Sequence, residues 1–465
     1  MSTNTETTIS GQELQEAVIY EDKPAISVYE LSLSIPSYQR IYVWREEHVK
    51  TLLNDIANAT VDNYFIGTVV LHEIRIDNKK HYDIVDGQQR LVTIALIQWE
   101  LYGETEELPK QVKSFLECKY TSNDALSNIR RNYEIIRKQL KDPMFKEKIK
   151  TNIKKLHMGV LRIKNQDNLD LAFTFFSNTN SKGKRLTDYD LLKPHHLRYI
   201  PSDLEQQQQH LAAKWDNMIN SARSIEQETE ANKSSREMIP YIRVMELLLY
   251  RLRKWQNNDG LSETIDHYIK REFEAAPIID EIPPFGEQFH FGEPIQGGQH
   301  FFAYVDHFVE CYRHFELKTL IHKTFGINGS ASWYGTVAEA LTFCYFLKFG
   351  ESYINEATMA IIRYISIIRF CKGRAYKPTI TDWARRSKII MAIDKATSPT
   401  FFLAKMEELL DNPPIDSKLE QAEKGVRRYY LDCCEDITKQ LSEKTTVNYY
   451  KNYYDKRYTN ISIHA

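Results

Sequence analysis

The chain has 465 residues, 42% hydrophobic and 27% charged, with 61 Lys and Arg against 63 Asp and Glu. That length suggests about two to four domains with ample apolar surface to bury, and the composition argues against global disorder. A net charge of −2 makes no case for nucleic acid overall, so any such surface must be a local patch.

No apolar run approaches the roughly 18 residues of a membrane span. The six cysteines are scattered, with no C-x-x-C pair, which favours reduced thiols over a zinc ribbon or a disulfide scaffold. Residues 1–10 read as a disordered tail, too polar and acidic for a signal peptide, so the expected location is cytoplasmic.

A helix is expected from near Gln12, and "AISVYELSLSIPSYQRIYVW" reads as strands broken at Pro36. "REEHVKTLLNDIANA" places Val49, Leu52, Leu53 and Ile56 on one helical face. "YFIGTVVLHEIRI" and "KKHYDIVDG" read as two strands joined by a turn, followed by a helix after Gly87. From "ALSNIRRNYEIIRKQL" onward the pattern is mostly helical, with Thr187 capping the helix after a polar loop. The weakly periodic residues 221–236 mark a boundary. The expectation is an α/β domain over 11–220 and a mainly α-helical domain over 237–465. In the latter, "AAPIIDEIPPFGEQFHFGEPIQGGQ" is a connector, and "AEALTFCYFLKF" and "EATMAIIRYISIIRF" are amphipathic helices.

Three constellations carry chemistry. In "YDIVDGQQRL", a strand breaks at Asp86-Gly87 and puts Gln88, Gln89 and Arg90 on the first turn of a helix. The free N–H groups and dipole of such a turn suit an anion, and an arginine fork suits phosphate. The plain alternative is a solvated turn with no ligand. The second is Gln39-Arg40 within "IPSYQRIYVW", which converges on the same ligand unless Arg40 is a surface ion pair. The third is "FFSNTNSKGKRLTDYDLLK", a donor-rich loop with Asn178, Asn180 and Lys182, which is otherwise a plain helix–helix connection. It is no Walker site, because Asn178 stands where the first glycine belongs and Arg185 replaces the magnesium-binding Ser/Thr.

"IPSYQRIYVW", "YFIGTVVL", "YDIVDGQQRL" and the polar loop occur in one order that resembles the DGQQR-motif domain family of GmrSD-like, modification-dependent restriction systems. The resemblance covers roughly residues 15–220, and "QGGQHFFAYVDHFVECY" is similar to the helical part of such proteins. It implies a ParB-like α/β domain that binds and hydrolyses a nucleoside triphosphate with Mg2+, in defence against foreign or modified DNA. On that reading Gly87, Arg90 and the helix start hold phosphates, and Arg40 offsets charge from the facing Tyr38-Gln39-Arg40 segment. Asn178, Asn180 and Lys182 add nucleotide contacts. Asp86 binds magnesium or orients water, and Gln88 and Gln89 position water or read the nucleotide.

Fused members of the family carry an HNH-type nuclease with a His-Pro-containing motif. "KPHHLR" at 193–198 lies too early for it, and His290, His300, His307, His314 and His322 lack acidic and asparagine partners. The resemblance therefore points to a regulatory subunit that works with a separate HNH-type nuclease, and it leaves self-association open. The rival classes are a non-catalytic DNA-binding or scaffold protein and a nuclease with an unrecognised active site.

Residues 363–388 carry eight Lys and Arg, among them Arg374, Arg385 and Arg386, against one Asp382. With Tyr376 and Trp383 as stacking partners this stretch is a DNA-contact candidate; a solvated face or subunit interface explains it equally. The tyrosines of "TTVNYYKNYYDKRY" read as packing or an interaction surface rather than a base-stacking ladder.

Overall fold

A computed structural model describes residues 18–39, 41–76, 78–103, 105, 108–117, 123–164, 187–200, 204–225, 240–274, 291–292, 295, 297–326, 331–371, 376–411 and 425–445. Arg40, Asn178, Asn180, Lys182, Lys372, Arg374, the expected N-terminal tail and helix start, most of the expected connector and the tyrosine-rich tail lie outside these. The chain divides into two compact units, at residues 220 and 221. The first is a mixed α/β unit and the second is mostly helical. No described helix is long and apolar enough to cross a membrane.

The first unit is built on a five-stranded sheet in the order β1-β5-β3-β4-β2. Its strands are β1 (Val18–Pro24), β2 (Leu33–Ser34), β3 (Tyr64–Ile76), β4 (Lys79–Asp86) and β5 (Leu156–Ile163). β3 and β4 form the expected antiparallel hairpin, with Leu71 opposite Ile84. β5 lies parallel to β3 and antiparallel to β1.

Two expectations fail here. The run "AISVYE" is a 3-10 helix, Ala25–Glu30, not a strand. Its buried residues Ala25, Val28 and Tyr29 follow a turn-like spacing rather than alternation. In addition, "LHMGVLRI", taken as part of a helical region, is the strand next to the sheet's centre. It is buried at Leu156, Met158, Gly159, Val160 and Ile163, a pattern too short to separate from a helix by period alone.

The helices of this unit are α1 (Glu46–Ala57), α2 (Gln88–Tyr102), α3 (Lys110–Leu116), α4 (Asn123–Gln139), α5 (Pro143–Asn152) and α6 (Asp188–Leu197), with most of α7 (Glu205–Ile225), whose last turn falls past residue 220. α1 buries the four apolar residues its period marked. α2 is buried on nearly every side and belongs to one core with Val69, Leu71 and Ile84 of the sheet. Removing that apolar area from water contributes about 25 cal/mol per Å2, so the helix that carries the motif is anchored along its length. α6 begins as expected at Thr187, whose hydroxyl accepts from the Asp190 N–H at 3.3 Å while the Thr187 N–H donates to Asp190 Oδ2 at 3.0 Å.

In the second unit, α8 (Pro240–Ile242) runs into a π-helical segment, Arg243–Leu249, and then α9 (Tyr250–Gln256). α10 (Tyr268–Glu274), α11 (Gln299–His314), α12 (Leu317–Phe325), α13 (Ser332–Phe349) and α14 (Ile354–Cys371) follow. The unit closes with α15 (Lys377–Arg386), α16 (Ile389–Lys395), α17 (Pro399–Asp411) and α18 (Gly425–Ser442). α14 was expected to be amphipathic, yet Glu356 through Phe370 are all buried. It is a central helix, packed against α13, α17 and α18.

Among the charges this unit buries, Glu339 has a full set of described partners. Glu339 of α13 has no exposed surface and accepts from Arg243 Nε at 2.8 Å and Tyr312 Oη at 2.7 Å. A second Arg243 nitrogen donates to its other oxygen, and His322 Nε2 lies 3.1 Å from that same oxygen.

Candidate functional site

β4 ends at Asp86 and α2 starts at Gln88, so the whole reversal falls on Gly87, at φ +94°. A Cβ there would stand 2.5 Å from Val69 Cγ1, so glycine is required by both dihedral and space. Gly87→Ala is expected to destabilise the first unit by about 1–3 kcal/mol. Thermal unfolding followed by circular dichroism checks this.

The side chains of the motif face in different directions. Gln89 serves the irregular segment before α1: its Oε1 accepts from the Val43 and Trp44 N–H groups at 2.8 and 3.2 Å, and its Nε2 donates to the Ile41 carbonyl at 3.1 Å. Arg90 reaches back to β3, donating from Nη1 to the Ile66 carbonyl at 2.8 Å and from Nη2 to the Thr68 carbonyl at 2.6 Å. Those carbonyls flank Gly67, at φ +103°, where β3 bulges away from β5. A Cβ on Gly67 would sit 1.8 Å from Arg90 Nη1, so the bulge and the arginine are one device. Burial lowers the Arg90 pKa from its ordinary value, the Asp86 charge opposes that shift, and the guanidinium stays protonated.

Gln88 differs. It is only 4% exposed, and its Oε1 makes no hydrogen bond. The first N–H groups of α2 have no acceptor within the helix, and Gly87 brings no side chain to cap them. Asp86, part-buried, adjoins them. Among the described residues no group of three His, Cys, Asp or Glu side chains is placed to hold a metal. Magnesium is commonly bound through one carboxylate plus phosphates and water, which a lone Asp86 could provide.

The expected strand around Tyr38-Gln39 is instead a turn, Gln39 N–H donating to the Pro36 carbonyl at 3.0 Å. The described residues of 35–45 pair with no strand, and side chains from elsewhere serve their backbone groups. Asn128 donates to the Tyr42 carbonyl at 2.9 Å and Asn132 to the Trp44 carbonyl at 2.6 Å. Lys193 donates from Nζ to the Gln39 carbonyl and to Asp216 Oδ2, both at 2.8 Å. Gln39 Nε2 in turn donates to the Val85 carbonyl, one residue before Asp86. Tyr38 is buried, and burial, then Asp83, pushes its phenol well above the usual range. Asn128, Asn132, Lys193 and Asp216 were not legible as site residues, because their chemistry is directed at backbone groups far away in sequence.

A cavity of about 600 Å3 lies beside Arg90, between α1 and the start of β3, lined by Trp44, His48, Leu52, Tyr64 and Phe65 among others.

In the second unit, the stretch 363–388 is not a continuous cationic strip. Arg363 and Arg369 are buried on α14. Lys377 pairs with Glu263 and sits 4.2 Å from the Trp333 ring centroid. Arg385 and Arg386 both pair with Asp382. Trp383 is buried, stacked on Tyr364 at 5.0 Å, and donates from Nε1 to the Tyr364 carbonyl, so it offers no free face to a base. Tyr376 is exposed.

Fold and site define a class: a mixed α/β domain whose Asp-Gly-Gln-Gln-Arg turn opens a buried helix, followed by a mostly helical unit. Residues 23–197 match the family model described as the GmrSD restriction endonuclease, N-terminal domain, so this part of the chain is similar to the N-terminal domain of GmrSD-like restriction proteins. The domain is thus that of a restriction system. Residues 266–422 match a family of unknown function (DUF7834). The comparison with curated proteins gives no match.

Proposed function

We propose that the first unit binds a nucleoside triphosphate at the start of α2 and hydrolyses it, as the regulatory subunit of a restriction system acting on foreign or modified DNA. The observation that carries this reading is Gln88, a nearly fully buried amide with an unpartnered oxygen beside uncapped helix N–H groups and a carboxylate. Unpartnered buried polar atoms are costly, and a ligand or its water supplies the missing partner. The helix N–H groups take the phosphates, with Arg90 of α2 adding charge from a guanidinium fixed against β3. Asp86 holds Mg2+ or orients the attacking water, and Gln88 positions that water. Magnesium, when bound, neutralises phosphate charge. Cleavage of DNA falls to a separate HNH-type nuclease, with Arg385 and Arg386 as this chain's candidate DNA contacts.

Asp86→Asn is the test. It keeps size and loses charge, so turnover is expected to fall by about a hundredfold or more while triphosphate affinity changes less. Calorimetry beside a phosphate-release assay reads both. Absence of any triphosphate binding by the wild-type chain would sink the proposal, and plasmid cleavage by the chain alone would sink its regulatory half.

A second reading has its own support. Gln39, Gln89 and Arg90 all hydrogen-bond to the protein's own backbone, as they would in a motif that only holds the fold together. On that reading Asp86→Asn changes stability and no triphosphate binds.

A further inference from the structure

The cavity beside Arg90 has a lining that a phosphate site does not need. Trp44 and the His48 imidazole lie nearly parallel, centroids 5.8 Å apart and 20° between planes. Phe65, a large apolar ring on a strand, is 51% exposed, and Tyr64 lies beside it in the same lining. Scattered single exposed aromatics are ordinary, but several rings on one concavity are not. The volume, about 600 Å3, is in the range of small-molecule sites.

Charge narrows the choice of ligand. Glu47 and Asp55 are both in the lining, against the single guanidinium of Arg90, two of whose nitrogens already donate to Ile66 and Thr68. A second anionic group is therefore disfavoured in the outer part of the cavity. A flat, uncharged ring with N–H donors on its edge is favoured: π-faces for Trp44, His48 and Phe65, donors for the carboxylates.

We propose that this cavity is a nucleobase subsite, in which the base stacks among Trp44, His48 and Phe65 and turns an N–H edge toward Glu47 or Asp55. The base comes either from a free nucleotide or from an unpaired position in a nucleic acid strand. For the free nucleotide the inference rests on the phosphate site proposed above, because Arg90 lies at the junction of the two.

The test uses the full chain and separates base from phosphate. Nucleosides, nucleoside triphosphates, inorganic tripolyphosphate with Mg2+, and a mixed-sequence single-stranded oligonucleotide are titrated by calorimetry. Phe65→Ala and Trp44→Leu are compared with wild type, their folding checked by circular dichroism; the exposed Phe65 can be removed without opening the core. Both variants are expected to lose about ten- to a hundredfold in affinity for base-containing ligands and to keep tripolyphosphate binding. Loss on nucleosides and triphosphates alone assigns the base to a free nucleotide, and loss on the oligonucleotide assigns it to a strand. Wild-type binding of nucleosides without tripolyphosphate would sink the phosphate site and keep this one. The subsite is overturned if folded variants bind every base-containing ligand as the wild type does. It is equally overturned if the wild type binds none of them at millimolar concentration.

Discussion

Arg90→Ala is expected to destabilise the first unit by about 2–4 kcal/mol, whether or not a ligand is present. The substitution removes two charge-assisted hydrogen bonds and leaves the Ile66 and Thr68 carbonyls unserved at the Gly67 bulge. It also strips the cavity of its only cation among the lining residues. Arg90→Lys should recover only part of the loss, because one ammonium cannot span both carbonyls as the planar fork does. Hydrogen exchange read by mass spectrometry over 64–76 and 88–102 isolates this unit from the rest of the chain. Unchanged protection there, together with lost triphosphate binding, would show that Arg90 acts on the ligand alone.

The second large effect is expected in the helical unit. Glu339→Gln leaves Arg243 buried without its counter-charge, and breaking such a pair from one side costs about 3–5 kcal/mol. Burial pushes the Glu339 carboxyl up, but the Arg243 guanidinium and the hydrogen bonds from Arg243 and His322 outweigh it and hold the carboxyl at about 2. The unfolded chain titrates this group near 4.3, so about that value and above the stabilisation is fully present. It is lost as pH falls from there through about 2. Wild type should therefore lose stability over that window, and Glu339→Gln should show a smaller loss there. The double change Glu339→Gln with Arg243→Met is expected to recover part of the deficit, since no buried charge is then left alone. Thermal unfolding at pH 7 and pH 3 compares the three; equal stability at pH 7 would remove the pair from the structural account.

Much of the fold was legible because it is written locally. α1 declared itself by Val49, Leu52, Leu53 and Ile56, and the β3–β4 hairpin by alternation. The break at Asp86-Gly87 marked the start of α2, since only glycine adopts that dihedral cheaply and leaves room for Val69. β5 escaped because a short buried strand has no period to distinguish it. The Tyr38-Gln39 turn escaped because an irregular segment is stable only when distant side chains satisfy its backbone, and nothing nearby announces them. Trp383 reads as a stacking platform in the sequence, but its ring is taken by Tyr364, 19 residues back on the preceding helix, a pairing that only the packing of α14 against α15 reveals.

The sequence by itself determined where the motif lies, that it opens a helix, and which family of domains it resembles. Only the tertiary structure decided what each motif side chain does. Arg90 finds the Thr68 carbonyl 22 residues back, Gln89 finds the Val43 N–H 46 residues back, and Lys193 finds the Gln39 carbonyl across 154 residues. A donor-rich motif advertises hydrogen bonds without saying whether the acceptor is a ligand or the protein's own backbone. That choice is made by packing, which sets β3 and the described residues of 35–45 against the start of α2 and leaves the Gln88 oxygen, beside Asp86 and the first turn of the helix, without a partner.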